Sequence, residues 1–294
     1  QSPRKKTARK KKPLQPSKLL THRAALCNMV RRIAVEAGLV TLEYFDESGC
    51  QDVETKDDGS PVTVADRAAE EIIEKKLKEI LPDVPIIGEE AAEAGKLPDL
   101  TGAEYFWLVD PLDGTKEFIS GSGDYTVNIA LIHKGMPVLG VVYAPVKGEL
   151  YAGPAPDSAV RWLEDTNAEK SIRVRRIPKA GMTVVASRNH GDSGKLDAFL
   201  ENYKVEKLLK RGSSLKICAV AAGKADLYPR FGPTCEWDTA AGDAVLRAAG
   251  GMLTDLNHSP LTYGHAGRKF LNPEFIAAPA DFFEADRTAG ATSL

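Results

Sequence analysis

The sequence predicts a mixed α+β and α/β protein organised as two layered halves. Three observations carry the prediction. Two long amphipathic helical stretches come first, a run of strands joined by tight turns follows, and helical and extended segments alternate to the end. The length, 294 residues, fits one large or two ordinary domains.

The opening stretch, QSPRKKTARKKKPLQPSK (1–18), stands apart. It is rich in Lys and Arg, carries three prolines and has almost no apolar residues, so it reads as a disordered basic arm. Its plain reading is a solvated tail. The sharper one is weak attraction to anionic lipid or nucleic acid. The rest of the chain is not a polyanion binder by charge, since the net charge is −2. No apolar run approaches the roughly 20 residues of a membrane helix. The four cysteines form no C-x-x-C pair, which argues against a zinc site. With no signal peptide read ahead of them, they are expected as reduced thiols in a cytoplasm.

From Leu19 to Phe45, apolar residues recur at helical spacing: Leu26, Val30, Ile33, Ala37 and Val40 among them. Turn chemistry follows in DDGSP, and a second helix is expected from Ala65 until Pro82 stops it. VPIIGEE (84–90) reads as a short buried strand, and YFWLVD (105–110) as another. DYTVNIALIHKGMPVLGVVYAPVKGELYAG (124–153) reads as a strand meander with turns at His133–Gly135 and Pro145–Gly148. GPAPDSA (153–159) interrupts the pattern. It places a boundary between a half over 19–155 and a half over 156–294. In the second half KSIRVRRI and MTVVAS read as strands, and 195–202 as a helix. SLKICAVAAGKADLY reads as a helix then a strand, and WDTAAGDAVLRAAGG as a helix closed by Gly250 and Gly251.

Acidic residues fall at the ends of these strands and the starts of these helices. Glu89 and Glu90 end PIIGEE, Asp110 ends YFWLVD, Asp113 follows across a turn, and Asp66 and Asp238 open helices. Ligand sites gather at such places. Converging carboxylates repel one another unless hard divalent cations, which favour oxygen ligands, relieve them. Paired metals suit phosphoryl transfer. In DPLDGT, Pro111 is expected to end the strand, so that Asp110, Asp113 and the Leu112 carbonyl face one point. Gly114 lets the backbone approach a phosphate. The Gly114 and Thr115 amides can donate to it, and the Thr115 hydroxyl can hold a water. Taken singly, each has a plain reading: Asp66 an N-cap, Asp113-Gly114 a turn, Asp238 a cap beside a core tryptophan.

Together, GEE (88–90), WLVDPLDGT (107–115) and WDTAAGDAVLRAAGG (237–251) resemble the motifs of the inositol monophosphatase superfamily of lithium-sensitive phosphatases. DPLDGTKEF, DYTVNIALI, GVVYAPV, VASRNH, GSSLKICAVAAGKADLYPRFGPT and FLNPEF are similar, within it, to the bacterial CysQ-type 3'(2'),5'-bisphosphate nucleotidases. The likeness runs from about residue 24 to about residue 280 and leaves out the arm.

The resemblance implies a layered αβαβα sandwich, two or three Mg²⁺ per site and inhibition by Li⁺. It implies removal of the 3'-phosphate of adenosine 3',5'-bisphosphate, and of 3'-phosphoadenylyl sulfate, in sulfate assimilation. It assigns Glu89, Asp110, the Leu112 carbonyl, Asp113 and Asp238 to metal, with a weaker ion near Glu89 and Asp66. Asp66 and Thr115 would work as a proton-handling pair. Ser187, His190, Ser213 and Lys216 would bind nucleotide, and Arg230 the other phosphate. The plain alternatives are a surface histidine for His190 and a solvated helix residue for Lys216. The partner implied is a small nucleotide, not a nucleic acid. The location implied is the cytoplasm, with peripheral contact of the arm on the inner membrane's cytoplasmic face left open. Two competing readings stand beside this one. One is an inositol, histidinol or sugar phosphatase with the same metal site; the other is a binding protein with a vestigial site.

Overall fold

The structure is a computed structural model that describes residues 16–49, 59–154, 158–187 and 193–291. Most of the basic arm, the segment before Ser60 and the candidate His190 therefore lie outside the described residues. The last residues of the arm are helical: α1 spans Pro16–Leu19, and its Lys18 carbonyl accepts from the Thr21 hydroxyl at 2.9 Å.

Helices α2 (Arg23–Leu42) and α3 (Pro61–Ile80) are the two long helices expected. α3 starts earlier than the apolar pattern suggested. Ser60 is its N-cap, with its hydroxyl accepting the Thr63 N–H at 3.2 Å, and Pro61 takes the first position. Proline is at home there because the missing N–H would have had no partner in the helix. Asp66 consequently does not open the helix; it lies in the second turn, fully buried.

The remaining elements of the first half follow in order. They are β1 (Ile86–Gly88), α4 (Glu89–Glu93), β2 (Tyr105–Asp113), α5 (Thr115–Ser120), β3 (Thr126–His133), β4 (Met136–Ala144), β5 (Glu149–Gly153), β6 (Val160–Leu163) and β7 (Ala168–Ser171). These seven strands form one sheet in chain order, β1 parallel to β2 and every later pair antiparallel. The meander is as expected, and its β3–β4 turn carries Lys134 and Gly135 at positive φ, 51° and 79°, as a two-residue hairpin requires. The boundary expected at 155/156 falls between β5 and β6, so hydrogen bonding of one sheet runs across it. KSIRVRRI is a strand only to Ser171. Beyond it the Val174 N–H bonds the Ala249 carbonyl, so the chain leaves the sheet for the end of α8 (Glu236–Ala248).

The second half contains β8 (Met182–Ser187), α6 (Ser193–Leu200), β9 (Val205–Arg211), α7 (Leu215–Ala221) and β10 (Tyr228–Arg230). After α8 come β11 (Gly251–Asp255), β12 (Phe275–Pro279) and α9 (Ala280–Ala291). β9 pairs with β8, and β12 lies between β10 and β11. A bridge between Val184 and Leu227 joins the two groups into a second sheet.

Alternation along the strands sorts the core into layers. Trp107, Val109, Val127, Ile129, Leu131, Val141 and Tyr143 pack beneath α2 and α3. Phe106, Leu108, Ala130, Ile132 and Val142 face the other way, onto α7 and α8. Those helices reach Leu253, Phe275 and Ala277 of the second sheet. That sheet's outer face, Val184, Ile276 and Ala278, is covered by Phe199, Phe282 and Phe283 from α6 and α9. The result is a helix, sheet, helix, sheet, helix sandwich. α8 can lie close on the first sheet because Gly140 has no side chain; a Cβ there would meet the Ala241 carbonyl and sit 2.8 Å from Ala244 Cβ.

Candidate active site

Asp110 and Asp113 are three apart on β2, a spacing that puts side chains on opposite faces of a regular strand. β2 is irregular there. Asp110 pairs with Asn128 and Asp113 with Thr126, so β2 takes three steps where β3 takes two. The extra residue is a bulge, and it turns both carboxylates toward the α7 and α8 side. Pro111 occupies the bulge, where a residue without an N–H costs the ladder least. It does not end the strand, contrary to the sequence-based expectation. The Asp110 Oδ1 accepts the Leu112 N–H at 3.1 Å across the kink.

Asp238 arrives from the first turn of α8. Its Oδ2 accepts the Cys235 N–H at 2.7 Å and so closes the helix start. One oxygen from each of Asp110, Asp113 and Asp238 lies within 4.8 Å of the others. Glu89 opens α4 beside this group and shares a hydrogen bond with Asp110. α4 is itself held by Glu70 of α3, whose buried carboxylate accepts the Glu90 and Ala91 N–H groups at 3.0 and 2.8 Å.

Crowding of these acids shows in their proton affinity. Burial, then the charges of Glu89, Asp113 and Asp238, hold Asp110 well above the usual carboxylate range. Burial, then the charge of Asp113, push Asp238 up to about 7. An all-oxygen, negatively charged set fits a hard divalent cation, whose charge would release these protons.

Asp113 is the most firmly held of the three. Its Oδ2 accepts from the Ser213 hydroxyl at 2.6 Å, the Ser214 hydroxyl at 2.8 Å, the Ser214 N–H at 2.9 Å and Asn128 Nδ2 at 3.4 Å. Thr126 and Asn128 also contact Ser213 and Ser214, at 2.7 and 2.6 Å. The Ser213 hydroxyl, expected to face a nucleotide, is thus engaged by Asp113. Ser214, Asn128, Thr126 and Glu70 escaped the sequence reading. Their signal was polar residues inside apolar stretches: Thr and Asn within TVNIALI, and Glu70 one turn after Asp66 on a buried helix face.

Gly114 follows Asp113 with φ 100°, a conformation L side chains rarely adopt, and it precedes α5 as its N-cap. Thr115 begins that helix. Val62 and Ala65 of α3 pack with Leu112 and Phe118, which brings the turn that carries Asp66 against α5.

Asp113, Gly114, Thr115 and Asp238 line a cavity of about 560 Å³. Ser187, Ser213, Lys216 and Arg230 line the same cavity, so four of the five expected substrate residues share it with the acids. Lys216 is buried rather than solvated, its Nζ 5.5 Å from the centre of the Tyr228 ring. Burial lowers its pKa to about 8 against the opposing pull of Asp113, with Arg230 adding to the fall. Lys210, Leu208 and Phe231 are also part of the wall.

Residues 23–285 match the family model described as the inositol monophosphatase family. The chain is 44% identical over 252 residues to the 3'(2'),5'-bisphosphate nucleotidase CysQ of Escherichia coli K12, covering 85% of this chain and 98% of that one. The crystal structure of CysQ from Bacteroides thetaiotaomicron superposes with a TM-score of 0.72 at 35% identity, covering 88% of this chain and 97% of the other. An inositol monophosphatase from Zymomonas mobilis matches with a TM-score of 0.69 at 26% identity, covering 87% and 92%.

Proposed function

The chain belongs to the inositol monophosphatase family, and we propose that it is a metal-dependent 3'(2'),5'-bisphosphate nucleotidase that takes the 3'-phosphate from adenosine 3',5'-bisphosphate to leave AMP. One observation carries the reading: a single cavity is lined by Asp113, Asp238 and Thr115 and also by Lys216 and Arg230. A monoester needs only the first group; a second phosphate needs cations such as the second.

The proposed ions are Mg²⁺, two or three in number, held by Glu89, Asp110, the Leu112 carbonyl, Asp113 and Asp238. Bound there, they would supply charge to phosphoryl oxygens and acidify water. The chain's own groups do the rest. The Gly114 and Thr115 amides donate to oxygens of the leaving phosphate. The Thr115 hydroxyl orients the attacking water, with Asp66 receiving the proton in relay. Lys216 and Arg230 take the 5'-phosphate, and Ser187 and His190 the nucleoside. Ser213 acts by holding Asp113. The sulfated parent, 3'-phosphoadenylyl sulfate, is a second proposed substrate, Li⁺ a proposed inhibitor, and sulfate assimilation the proposed setting. Among the described residues no helix is long and apolar enough to cross a membrane. The cytoplasm is the proposed location, with weak attraction of the basic arm to anionic lipid as a proposed addition.

The test is phosphate release from adenosine 3',5'-bisphosphate with Mg²⁺ by the Asp110→Asn variant. We expect a loss of about a hundred- to a thousandfold in kcat, the scale of losing one electrostatic element of such a site, with an unchanged circular dichroism spectrum. Near-normal turnover would sink the metal assignment.

A further inference from the structure

We propose that the ion pair of Asp124 and Lys147 positions the metal site: it fixes the turn over residues 212–214 and, through that turn, the carboxylate of Asp113. This rests on reading Asp113 as a metal ligand.

Asp124 sits between α5 and β3, wholly buried. Its Oδ1 is 2.9 Å from Lys147 Nζ, and its Oδ2 accepts the Gly212 N–H at 3.0 Å. Lys147 reaches in from the β4–β5 turn, its side chain still partly exposed. Gly212 is seated directly on two acidic side chains. A Cβ there would lie 2.8 Å from Asp124 Cβ and 2.7 Å from Glu117 Cγ. No larger residue fits, so the Gly212 backbone takes its position from these two side chains.

The next residue, Ser213, has φ 56°, a left-handed conformation that a non-glycine residue keeps only when its surroundings impose it. In that conformation Ser213 and Ser214 direct two hydroxyls and one N–H onto a single oxygen of Asp113. The path runs from a surface lysine to a metal-facing carboxylate through five contacts, each within 3.0 Å.

Stability alone accounts poorly for a buried carboxylate here. Taking it out of water costs much of what its pairing returns, and an apolar residue of similar size would do as well. An apolar side chain could not hold the Gly212 N–H. Groups that orient metal ligands from behind are typically worth a factor of about ten to a hundred in metal affinity.

The experiment is calorimetric titration of Mn²⁺ into metal-free wild type, Asp124→Ala, Asp124→Asn, Lys147→Met and Asp113→Asn, with melting temperatures measured alongside. We expect Asp124→Ala to bind Mn²⁺ at least about tenfold more weakly. Asp124→Asn, which keeps an acceptor for Gly212, and Lys147→Met should weaken binding in the same direction by a smaller factor, and they decide the matter if the alanine variant does not fold. If Asp124 and Lys147 variants melt lower but bind Mn²⁺ as wild type does while Asp113→Asn loses it, the pair is only structural and the inference falls. If wild type and Asp113→Asn bind alike, the metal reading of Asp113 falls and takes the inference with it.

Discussion

At the scale of single residues, two of the site's acids, Asp110 and Asp238, are pushed toward their protonated forms, by burial first and by neighbouring carboxylates second. Asp110 and Asp238 have pKa values above the unfolded carboxylate range near 4. The metal-free folded chain therefore holds protons that the unfolded chain has released, and its stability falls as pH rises from about 4 to about 7. A divalent cation bound by these acids would replace those protons, so its stabilising effect would grow over the same window. We predict that the rise in melting temperature produced by Mg²⁺ is larger at pH 8 than at pH 5. A rise independent of pH would mean that the ion binds elsewhere. The acids themselves were legible, because residue type and spacing announce them. Their supports were not. Asn128 meets Ser214 across 86 residues of sequence and Ser214 meets Asp113 across 101, and such pairings exist only once the sheets are stacked. The same distance hid the hydrogen bond from Ser213 to Asp113.

At the scale of elements, the site depends on one bulge and one close helix. The bulge at Pro111 decides that Asp110 and Asp113 share a face, and nothing in DPLD alone reveals it, since a bulge is defined by the register of the partner strand. The strand meander and the long helices were legible from period and turn residues. The start of α3 was not, because Ser60 and Pro61 looked like a turn when they are a cap and a first helical position. α8 brings Asp238 to β2 only because Gly140 lets it settle on the sheet. We predict that Gly140→Val costs about 2 kcal/mol of stability, the scale of overpacking a core, and weakens Mg²⁺ binding by displacing Asp238. Denaturant unfolding and metal titration on the same variant check both, and unchanged metal affinity would separate helix seating from the site.

At the scale of the molecule, five layers place the acids between the first sheet and the central helices, where the second sheet can wall a cavity against them. The alternation of helices and strands announced layers. The exact sharing of strands between them was hidden, because β6 and β7 belong to the first sheet although GPAPDSA looks like a boundary. This arrangement makes the central claim testable by substrate alone, since on the proposed reading the acids would meet only a phosphate while Ser187, Lys216 and Arg230 would meet the rest. The decisive measurement is Mg²⁺-dependent phosphate release from adenosine 3',5'-bisphosphate beside inositol 1-phosphate, with and without millimolar Li⁺. The account predicts fast, lithium-sensitive release from the nucleotide and little from the inositol ester. Release mainly from the inositol ester would contradict the roles given to Ser187, Lys216 and Arg230, and release from neither would contradict the nucleotidase reading itself.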